Sequence, residues 1–134
     1  MNKPLFLDTS YILALLNTYD ALHSQAQELA ERINCKLITT EAILTEIGNA
    51  FSKIKWRSLA ISTLNDLRND NDVKIVPVNS DLFTEGFELY SSRKDKEWGI
   101  TDCISFVVMK KKRLTDALTS DHHFEQAGFR VLLK

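Results

Sequence analysis

Short apolar runs alternate with segments of helical periodicity from one end of the chain to the other. The run KPLFLD, residues 3–8, predicts a buried strand that ends in an acid, and the segment that follows, TSYILALLN, predicts a helix. In the segment 41–54, an apolar stripe at helical spacing predicts one continuous helix. The members of this stripe are Ile43, Ile47, Ala50, Phe51 and Ile54.

The whole pattern predicts strands and helices in alternation. The predicted strands cover residues 3–8, 36–40, 73–78, 116–120 and 130–134, and the predicted helices cover residues 9–17, 20–33, 41–54, 56–70, 80–93, 101–113 and 122–127. Asp20 and Ser80 are the expected N-caps of the second and fifth helices. The alternation predicts a single α/β domain over residues 1–134, with a mostly parallel central sheet flanked by helices.

Size and charge narrow the functional classes. A chain of 134 residues with 44% apolar and 26% charged side chains is typical of one globular domain with its own core. The net charge of −1 gives no global basic field, so any contact with nucleic acid must come from local patches. No apolar run is long enough to span a membrane, and no secretory signal is visible. Cys35 and Cys103 form no disulfide framework, so we expect reduced thiols and a cytoplasmic protein.

Four acids occupy positions that are ordinary when each is considered alone. Asp8 and Asp121 follow predicted strands and precede predicted helices, where an aspartate is a routine N-cap. Asp102 opens a predicted helix and complements its macrodipole. Glu46 lies about 100° around its helix from Ile47, on the flank of the apolar stripe, where a solvated glutamate is usual.

Considered together, the four acids indicate a candidate cation-binding site. Ligands of open α/β sheets bind at the carboxyl ends of the strands, which is where Asp8 and Asp121 are expected. If Asp102 and Glu46 join them, mutual repulsion raises pKa values or demands a cation. Mg²⁺, which prefers oxygen ligands, meets that demand. The spacing alone does not establish that the four side chains converge.

Four segments of the chain resemble the PIN-domain family, nucleases that include the toxins of many bacterial toxin–antitoxin pairs. The family's opening strand with its first acid is similar to FLDTSYILALL, and its second segment is similar to TTEAILTEIGNAF. The segment whose TD supplies the third acid is similar to DKEWGITDCISFVVM, and the closing segment is similar to ALTSDHHFEQAGFRVL. The acids in these segments are Asp8, Glu46, Asp102 and Asp121, in the family's order, and the resemblance spans nearly the whole chain.

The resemblance implies a flavodoxin-like sheet and a Mg²⁺- or Mn²⁺-dependent endoribonuclease. It implies a main metal site formed by Asp8, Glu46 and Asp102, with Asp121 completing the site or positioning water for a second ion. It also implies a homodimer and, for a toxin, a protein antitoxin as partner. PIN domains serve in RNA processing as well, and no residue of the sequence separates the two roles.

The polar and aromatic residues around the acids have both a functional and a structural interpretation. Thr101, in the TD unit, is the strongest candidate for orienting a carboxylate or a bound water. Trp98 is expected to pack on the edge of the core, and His122 and His123 are expected to be residues of a first helical turn. For the remaining hydroxyls, turn and cap chemistry is the favoured interpretation. These hydroxyls belong to Thr9, Ser10, Thr119 and Ser120.

Three groups of basic residues could bind the phosphates of a substrate. The preferred group precedes the third acid and consists of Arg93, Lys94 and Lys96. The run KKKR at 110–113 lies roughly 15 Å along its helix from Asp102 and suits a helix C-terminus without any function. The third group consists of Lys53, Lys55 and Arg57.

Two other functions fit an acid after the first strand. A phosphatase or phosphotransferase with an aspartyl nucleophile would use Asp8. The haloacid-dehalogenase type, however, needs a second aspartate two positions on, where Ser10 stands. A non-catalytic interaction module would use the acids only as helix caps and would bind no divalent ion tightly.

Overall fold

In the computed structural model, which describes residues 3–134, strands and helices alternate in the predicted order. The strands are β1 (Leu5–Leu7), β2 (Leu37–Thr40), β3 (Val73–Val76), β4 (Asp116–Leu118) and β5 (Arg130–Val131). The helices are α1 (Thr9–Leu16), α2 (His23–Arg32), α3 (Glu41–Ala50), α4 (Ile54–Asn69), α5 (Ser80–Ser92), α6 (Ile100–Lys111) and α7 (His122–Gln126). Over the described range, no helix has the length and apolar character needed to cross a membrane.

The five strands form one sheet in the order β3-β2-β1-β4-β5, and every neighbouring pair is parallel. The chain builds outwards from β1 through β2 to β3, and then crosses to β4 and β5 on the other side of β1. The strand order therefore reverses between β1 and β4, and open α/β sheets form a ligand-binding crevice at the carboxyl ends of the strands at such a point. The predicted α/β fold is confirmed, and the sheet is parallel throughout.

A buried aromatic cluster joins the central strand to the last two helices. Phe124 of α7 packs against Phe6 of β1 and Phe106 of α6, with ring centroids 6.1 and 5.0 Å apart. All three rings are almost completely buried, and burying each one stabilises the fold by about 1.5–3 kcal/mol. Trp98, in the loop before α6, packs edge-on against Phe106 at 5.0 Å, as expected for a tryptophan at the edge of the core. The cluster therefore fixes α7 and this loop against the sheet.

The helix predicted over residues 41–54 is too long, because α3 ends at Ala50 and α4 begins at Ile54. Residues 51–53 lie between them, and the backbone of Lys53 is extended, with φ −59° and ψ 150°. Ile43 and Ile47 are fully buried as predicted, but Ile54 starts the next helix and is 96% exposed. The apolar spacing continues across residues 51–53, so the apolar pattern alone does not reveal where α3 ends.

Both predicted N-caps are displaced by local hydrogen bonding. Helix α2 begins at His23, because the Asp20 carboxylate instead accepts the backbone N–H of Leu22 at 2.8 Å in a turn that precedes the helix. Helix α5 is capped by Asn79 rather than by Ser80, and the Asn79 side chain accepts a backbone N–H of the first turn at 2.9 Å. Asn and Ser are nearly equivalent as caps, so composition could not choose between these neighbours.

Candidate active site

Asp8 and Asp121 lie on the two sides of the point where the strand order reverses. Asp8 directly follows β1 and caps α1, and Asp121 follows β4 and caps α7. A hydrogen bond of 3.1 Å from the backbone N–H of Asp8 to the carbonyl of Leu118 joins the two strand ends. The parallel strands thus deliver both carboxylates to the crevice that the topology creates.

Glu46 and Asp102 reach the same crevice from two helices. Glu46 lies in the middle of α3, which begins at the end of β2, and Asp102 lies in the first turn of α6. Together with Asp8 and Asp121, they line one cleft of about 500 Å³, called the acid cleft below. The structure therefore brings together all four acids that the sequence singled out.

Asp8 is buried, and one of its oxygens is held by three hydrogen bonds. Its Oδ2 accepts the hydroxyl of Thr119 at 2.7 Å, the hydroxyl of Ser10 at 2.9 Å and the backbone N–H of Ser10 at 3.3 Å. The Thr119 hydroxyl also accepts the backbone N–H of Asp121 at 3.0 Å. One threonine thus connects two of the acids.

The other three acids are also held through a single oxygen each. Glu46 Oε1 accepts the hydroxyl of Thr9 at 2.6 Å. Asp102 Oδ2 accepts a backbone N–H at the start of its own helix at 3.2 Å, and Asp121 Oδ1 accepts the backbone N–H of His123 at 2.9 Å. The imidazole Nδ1 of His123 lies 3.2 Å from the same Asp102 oxygen and 3.3 Å from the same Asp121 oxygen.

The second oxygen of each carboxylate is therefore available to a ligand. Within residues 3–134, the hydrogen bonds to these acids all fall on the oxygens already named. The oxygens left over are Oδ1 of Asp8, Oε2 of Glu46, Oδ1 of Asp102 and Oδ2 of Asp121. Four oriented carboxylates with one open oxygen each are a typical arrangement for binding a cation.

Burial and mutual repulsion disfavour the ionised forms of three of the acids. Burial raises the pKa of Asp8, although hydrogen bonds from nearby hydroxyls act in the opposite direction. Partial burial raises the pKa of Glu46, and the negative charges of Asp8, Asp102 and Asp121 raise it further. Burial also raises the pKa of Asp102, with added repulsion from Asp121 and Asp8. The cleft concentrates negative charge at a free-energy cost.

The donor set of the acid cleft fits a hard divalent cation. Its lining supplies carboxylate and hydroxyl oxygens and, in the part of the chain that the structure describes, includes no lysine or arginine that would neutralise the acids. Mg²⁺ and Mn²⁺ prefer such oxygen ligands. The residues that would hold the ion are Asp8, Glu46, Asp102 and Asp121.

Packing fixes the two segments that carry Asp102 and Asp121. The indole N–H of Trp98 donates to Gln126 Oε1 of α7 at 2.9 Å, which ties the loop before α6 to the helix after Asp121. The Arg93 guanidinium lies over the Trp98 ring, 5.0 Å from its centroid. These contacts, with the aromatic cluster beneath them, restrict the relative movement of the two acids.

The predicted substrate-binding residues line an adjoining cleft. A cleft of about 890 Å³, called the basic cleft below, is bordered by Arg93, Lys94, Lys96 and Thr101. It shares Glu46 and Asp102 with the acid cleft. Arg93 pairs with the neighbouring Asp95, whereas neither lysine forms an ion pair among the described residues. The hydrogen bonds described for the four acids do not involve the Thr101 side chain.

The other two basic groups border neither of these clefts. Lys110 and Lys111 lie in the last turn of α6, at the opposite end of that helix from Asp102. Lys111 is paired with Glu85 of α5. The group at residues 53–57 lies at the start of α4.

Several residues that hold the acids were given mainly structural interpretations from the sequence. Thr9, Ser10 and Thr119 do shape turns and caps, but their hydroxyls also bind the carboxylates of Glu46 and Asp8. The sequence feature that could have indicated these contacts is the concentration of small hydroxyl residues around the ends of two predicted strands.

His123 is in the first turn of α7, as expected, yet it also contacts two acids. The sequence feature that could have indicated these contacts is the position of His123 two residues after Asp121. At that spacing the backbone N–H and the side chain can both face the same carboxylate. With His122 and Asp121 it forms a further set of potential metal donors, whose ligand atoms lie within 4.8 Å of one another.

A family model of the PIN domain matches residues 5–130, so the chain belongs to the PIN-domain family. It is a nuclease of that family, which confirms the family and the enzyme class predicted from the sequence. The chain is 29% identical over 125 residues to the 23S rRNA-specific endonuclease VapC20 of Mycobacterium tuberculosis, and the match covers 93% of this chain and 95% of VapC20.

Solved structures agree with this assignment. The crystal structure of VapC20 from Mycobacterium tuberculosis, a sarcin-ricin loop cleaving toxin, matches with a TM-score of 0.89 and 28% identity over 97% of this chain and 99% of VapC20. FitAcB from Neisseria gonorrhoeae matches at 15% identity with a TM-score of 0.70 over 95% of each chain. VapBC2 from Rickettsia felis, bound to a promoter DNA fragment, matches at 16% identity with a TM-score of 0.67 over 96% of each chain. The last two similarities show the fold alone.

Replacing Glu46 by Gln should stabilise the metal-free protein at neutral pH. The raised pKa of Glu46 means that the folded state binds its proton more readily than the unfolded state, so the ionised form destabilises the fold. This penalty is complete above the raised pKa and disappears as the pH falls through it toward the ordinary glutamate value. Thermal melting in EDTA should therefore place the Glu46→Gln variant above the wild type at pH 7, and the difference should vanish in acid.

The matched control is Glu88→Gln on the surface of α5, which removes one exposed glutamate outside both clefts. This control should melt like the wild type at both pH values. A Glu46→Gln variant that melts below the wild type in EDTA at pH 7 would show that the acid cleft carries no electrostatic cost.

Proposed function

We propose that this protein is a divalent-metal-dependent endoribonuclease that hydrolyses phosphodiester bonds of RNA as the toxin of a toxin–antitoxin pair. The observation that carries the proposal is the set of four carboxylates in the acid cleft, each with one oxygen held and one available. The similarity to VapC20 over 93% of the chain supports RNA as the substrate class and the toxin role predicted from the sequence.

Asp8, Glu46 and Asp102 would hold a Mg²⁺ or Mn²⁺ ion, and Asp121 would complete the site or position a water for a second ion. Such an ion, when bound, lowers the pKa of water so that hydroxide is available near neutral pH, and it neutralises charge on the scissile phosphate. The hydroxyl of Thr9 keeps the Glu46 carboxylate oriented, as the hydroxyls of Ser10 and Thr119 do for Asp8.

The basic cleft is the path of the RNA backbone. Lys94 and Lys96 lie beside the acids and form no ion pair within the described residues, so their charges are available to phosphates. VapC20 acts on 23S rRNA, and its crystal structure is that of a sarcin-ricin loop cleaving toxin. By this similarity we propose a loop of ribosomal RNA as the substrate and the cytoplasm as the location of the activity.

Two exposed apolar surfaces suit the proposed protein partners. Helix α4 presents Ile54, Trp56 and Ile61, and helix α5 presents Phe83 and Phe87, all with side chains 42–96% exposed. Apolar groups of this kind on a small domain mark interaction sites. An antitoxin and a second copy of the chain are the proposed occupants, and the similarity to the toxin VapC20 supports the antitoxin.

The alternatives are less well supported. An aspartyl nucleophile at Asp8 lacks the second aspartate, and Ser10 at that position donates its hydroxyl to Asp8 instead. A role in RNA processing outside a toxin–antitoxin pair would use the same acids and the same chemistry. The two roles differ in whether a partner protein inhibits the purified enzyme.

Replacing Asp102 by Asn should abolish RNA cleavage. The substitution keeps an oxygen that can accept the hydrogen bond at the start of α6 but removes the charge that binds the metal. Removing a ligand should cost at least as much as removing a residue that supports one, so we expect a loss of more than about 100-fold. The assay is cleavage of ribosomal RNA by the purified protein with Mg²⁺ or Mn²⁺, and with EDTA as the metal-free condition.

The matched control is Asp116→Asn, which removes an aspartate of β4 that pairs with Arg130 outside the acid cleft. This variant should cleave like the wild type. Cleavage that continues in EDTA, or that survives the Asp102→Asn substitution, would contradict a metal-dependent mechanism.

Replacing both Lys94 and Lys96 by Gln should raise KM for RNA and leave kcat nearly unchanged. Each lost phosphate contact should also reduce the slope of log affinity against log salt by roughly 0.7–0.9. The comparison is with Lys110→Gln combined with Lys112→Gln, at the opposite end of α6 from Asp102. An equal effect of the two pairs would mean that the basic cleft has no special role.

A further inference from the structure

One imidazole nitrogen lies between two acids that come from different helices. Nδ1 of His123 is 3.2 Å from Oδ2 of Asp102 on α6 and 3.3 Å from Oδ1 of Asp121, the N-cap of α7. The backbone N–H of His123 donates to the same Asp121 oxygen at 2.9 Å. His123 is therefore the residue through which these two carboxylates are connected.

The direction of these contacts follows from the chemistry of the groups. Carboxylate oxygens accept hydrogen bonds, so the ring nitrogen that faces two of them carries the hydrogen. The imidazole N–H donates to Oδ2 of Asp102, and the backbone N–H of His123 donates to Oδ1 of Asp121. Neither of the remaining oxygens, Oδ1 of Asp102 and Oδ2 of Asp121, receives a hydrogen bond within the described chain. Carboxylates that bind metals are commonly held by hydrogen bonds from outer-shell groups, which orient them toward the ion.

The surroundings of His123 hold the ring in place. The His123 side chain is 20% exposed, whereas that of the neighbouring His122 is 71% exposed and lies 3.8 Å from Asp121. The next residue, Phe124, is fully buried in the aromatic cluster and fixes this turn of α7. The negative charge of Asp121 contributes to the raised pKa of Asp102, and His123 places a donor against each of the two acids, the ring N–H on Asp102 and the backbone N–H on Asp121.

We propose that His123 is a positioning residue of the metal centre, which acts by holding Asp102 and Asp121 so that one oxygen of each stays available to the divalent ion. This inference rests on the proposed function, because it assumes that the acid cleft binds metal. It assigns to His123 no contact with the ion or with RNA. Its consequence is a metal affinity that depends on the hydrogen at Nδ1 and not on the imidazole as such.

Two substitutions separate these requirements. In His123→Asn, the side-chain amide can place an N–H donor at the position of Nδ1, since both nitrogens are attached to Cγ. In His123→Gln, the amide lies one carbon further out and the donor at that position is lost. His122→Asn is the control for changing an adjacent, exposed histidine, and melting in EDTA verifies that each variant is folded.

The measurement is direct titration of Mn²⁺ into RNA-free protein, followed by electron paramagnetic resonance of the unbound ion. We expect His123→Gln to weaken Mn²⁺ binding by about 10–100-fold and His123→Asn to stay within about threefold of the wild type, the range expected for residues that support metal ligands. His122→Asn should bind like the wild type. If His123→Gln does not fold, His123→Ala takes its place with the same expected loss.

The outcomes separate this inference from the proposed function. Wild-type affinity in the His123→Gln variant, or equal losses in His123→Gln and His123→Asn, would overturn the positioning role and leave the metal centre intact. Absence of Mn²⁺ binding by the wild type would overturn both. Recovery of RNA cleavage in His123→Gln at high Mn²⁺ concentration would add support, because a positioning defect in metal binding is offset by mass action.

Discussion

Four mutually repelling carboxylates in one partly buried cleft are the constraint on which this structure depends. Three of them have raised pKa values because they are withdrawn from water and, in two cases, because they face other acids of the cleft. The surrounding residues donate hydrogen bonds to these carboxylates from hydroxyl, backbone N–H and imidazole groups, and no lysine or arginine among the described residues lines the cleft. These donors hold the carboxylates by hydrogen bonds without neutralising them by an ion pair with lysine or arginine. The uncompensated negative charge of the cleft therefore favours binding of a divalent cation.

For two of the acids, the observed role as helix cap is compatible with the proposed role as metal ligand. Asp8 caps α1 through Oδ2, and Asp121 caps α7 through Oδ1, which leaves the other oxygen of each carboxylate available. Capping therefore holds the carboxylate at a fixed angle, at the carboxyl end of a parallel strand, next to the point where the strand order reverses. A capping role cannot be used as an argument against a catalytic one here, because the two roles use different atoms.

The sequence predicted the order of the elements and the parallel α/β sheet, because strand and helix periodicities differ and alternate clearly. It also predicted the positions of Asp8 and Asp121, which follow from the ends of strands. It placed the end of α3 at residue 54 rather than at Ala50, because the apolar spacing continues across residues 51–53. It assigned no role to the contacts of Thr119 with Asp8 or of His123 with Asp102, because residues 111 and 21 positions apart meet only when the sheet and α6 are in place.

In the proposed metal centre, the available oxygens of the four acids together bind a divalent ion. Anomalous X-ray diffraction from crystals of the protein soaked in Mn²⁺ tests this directly. We expect an anomalous peak in the acid cleft, in contact with carboxylate oxygens of Asp8 and Asp102. A peak found only beside His122, or no peak in the cleft at saturating Mn²⁺, would contradict it.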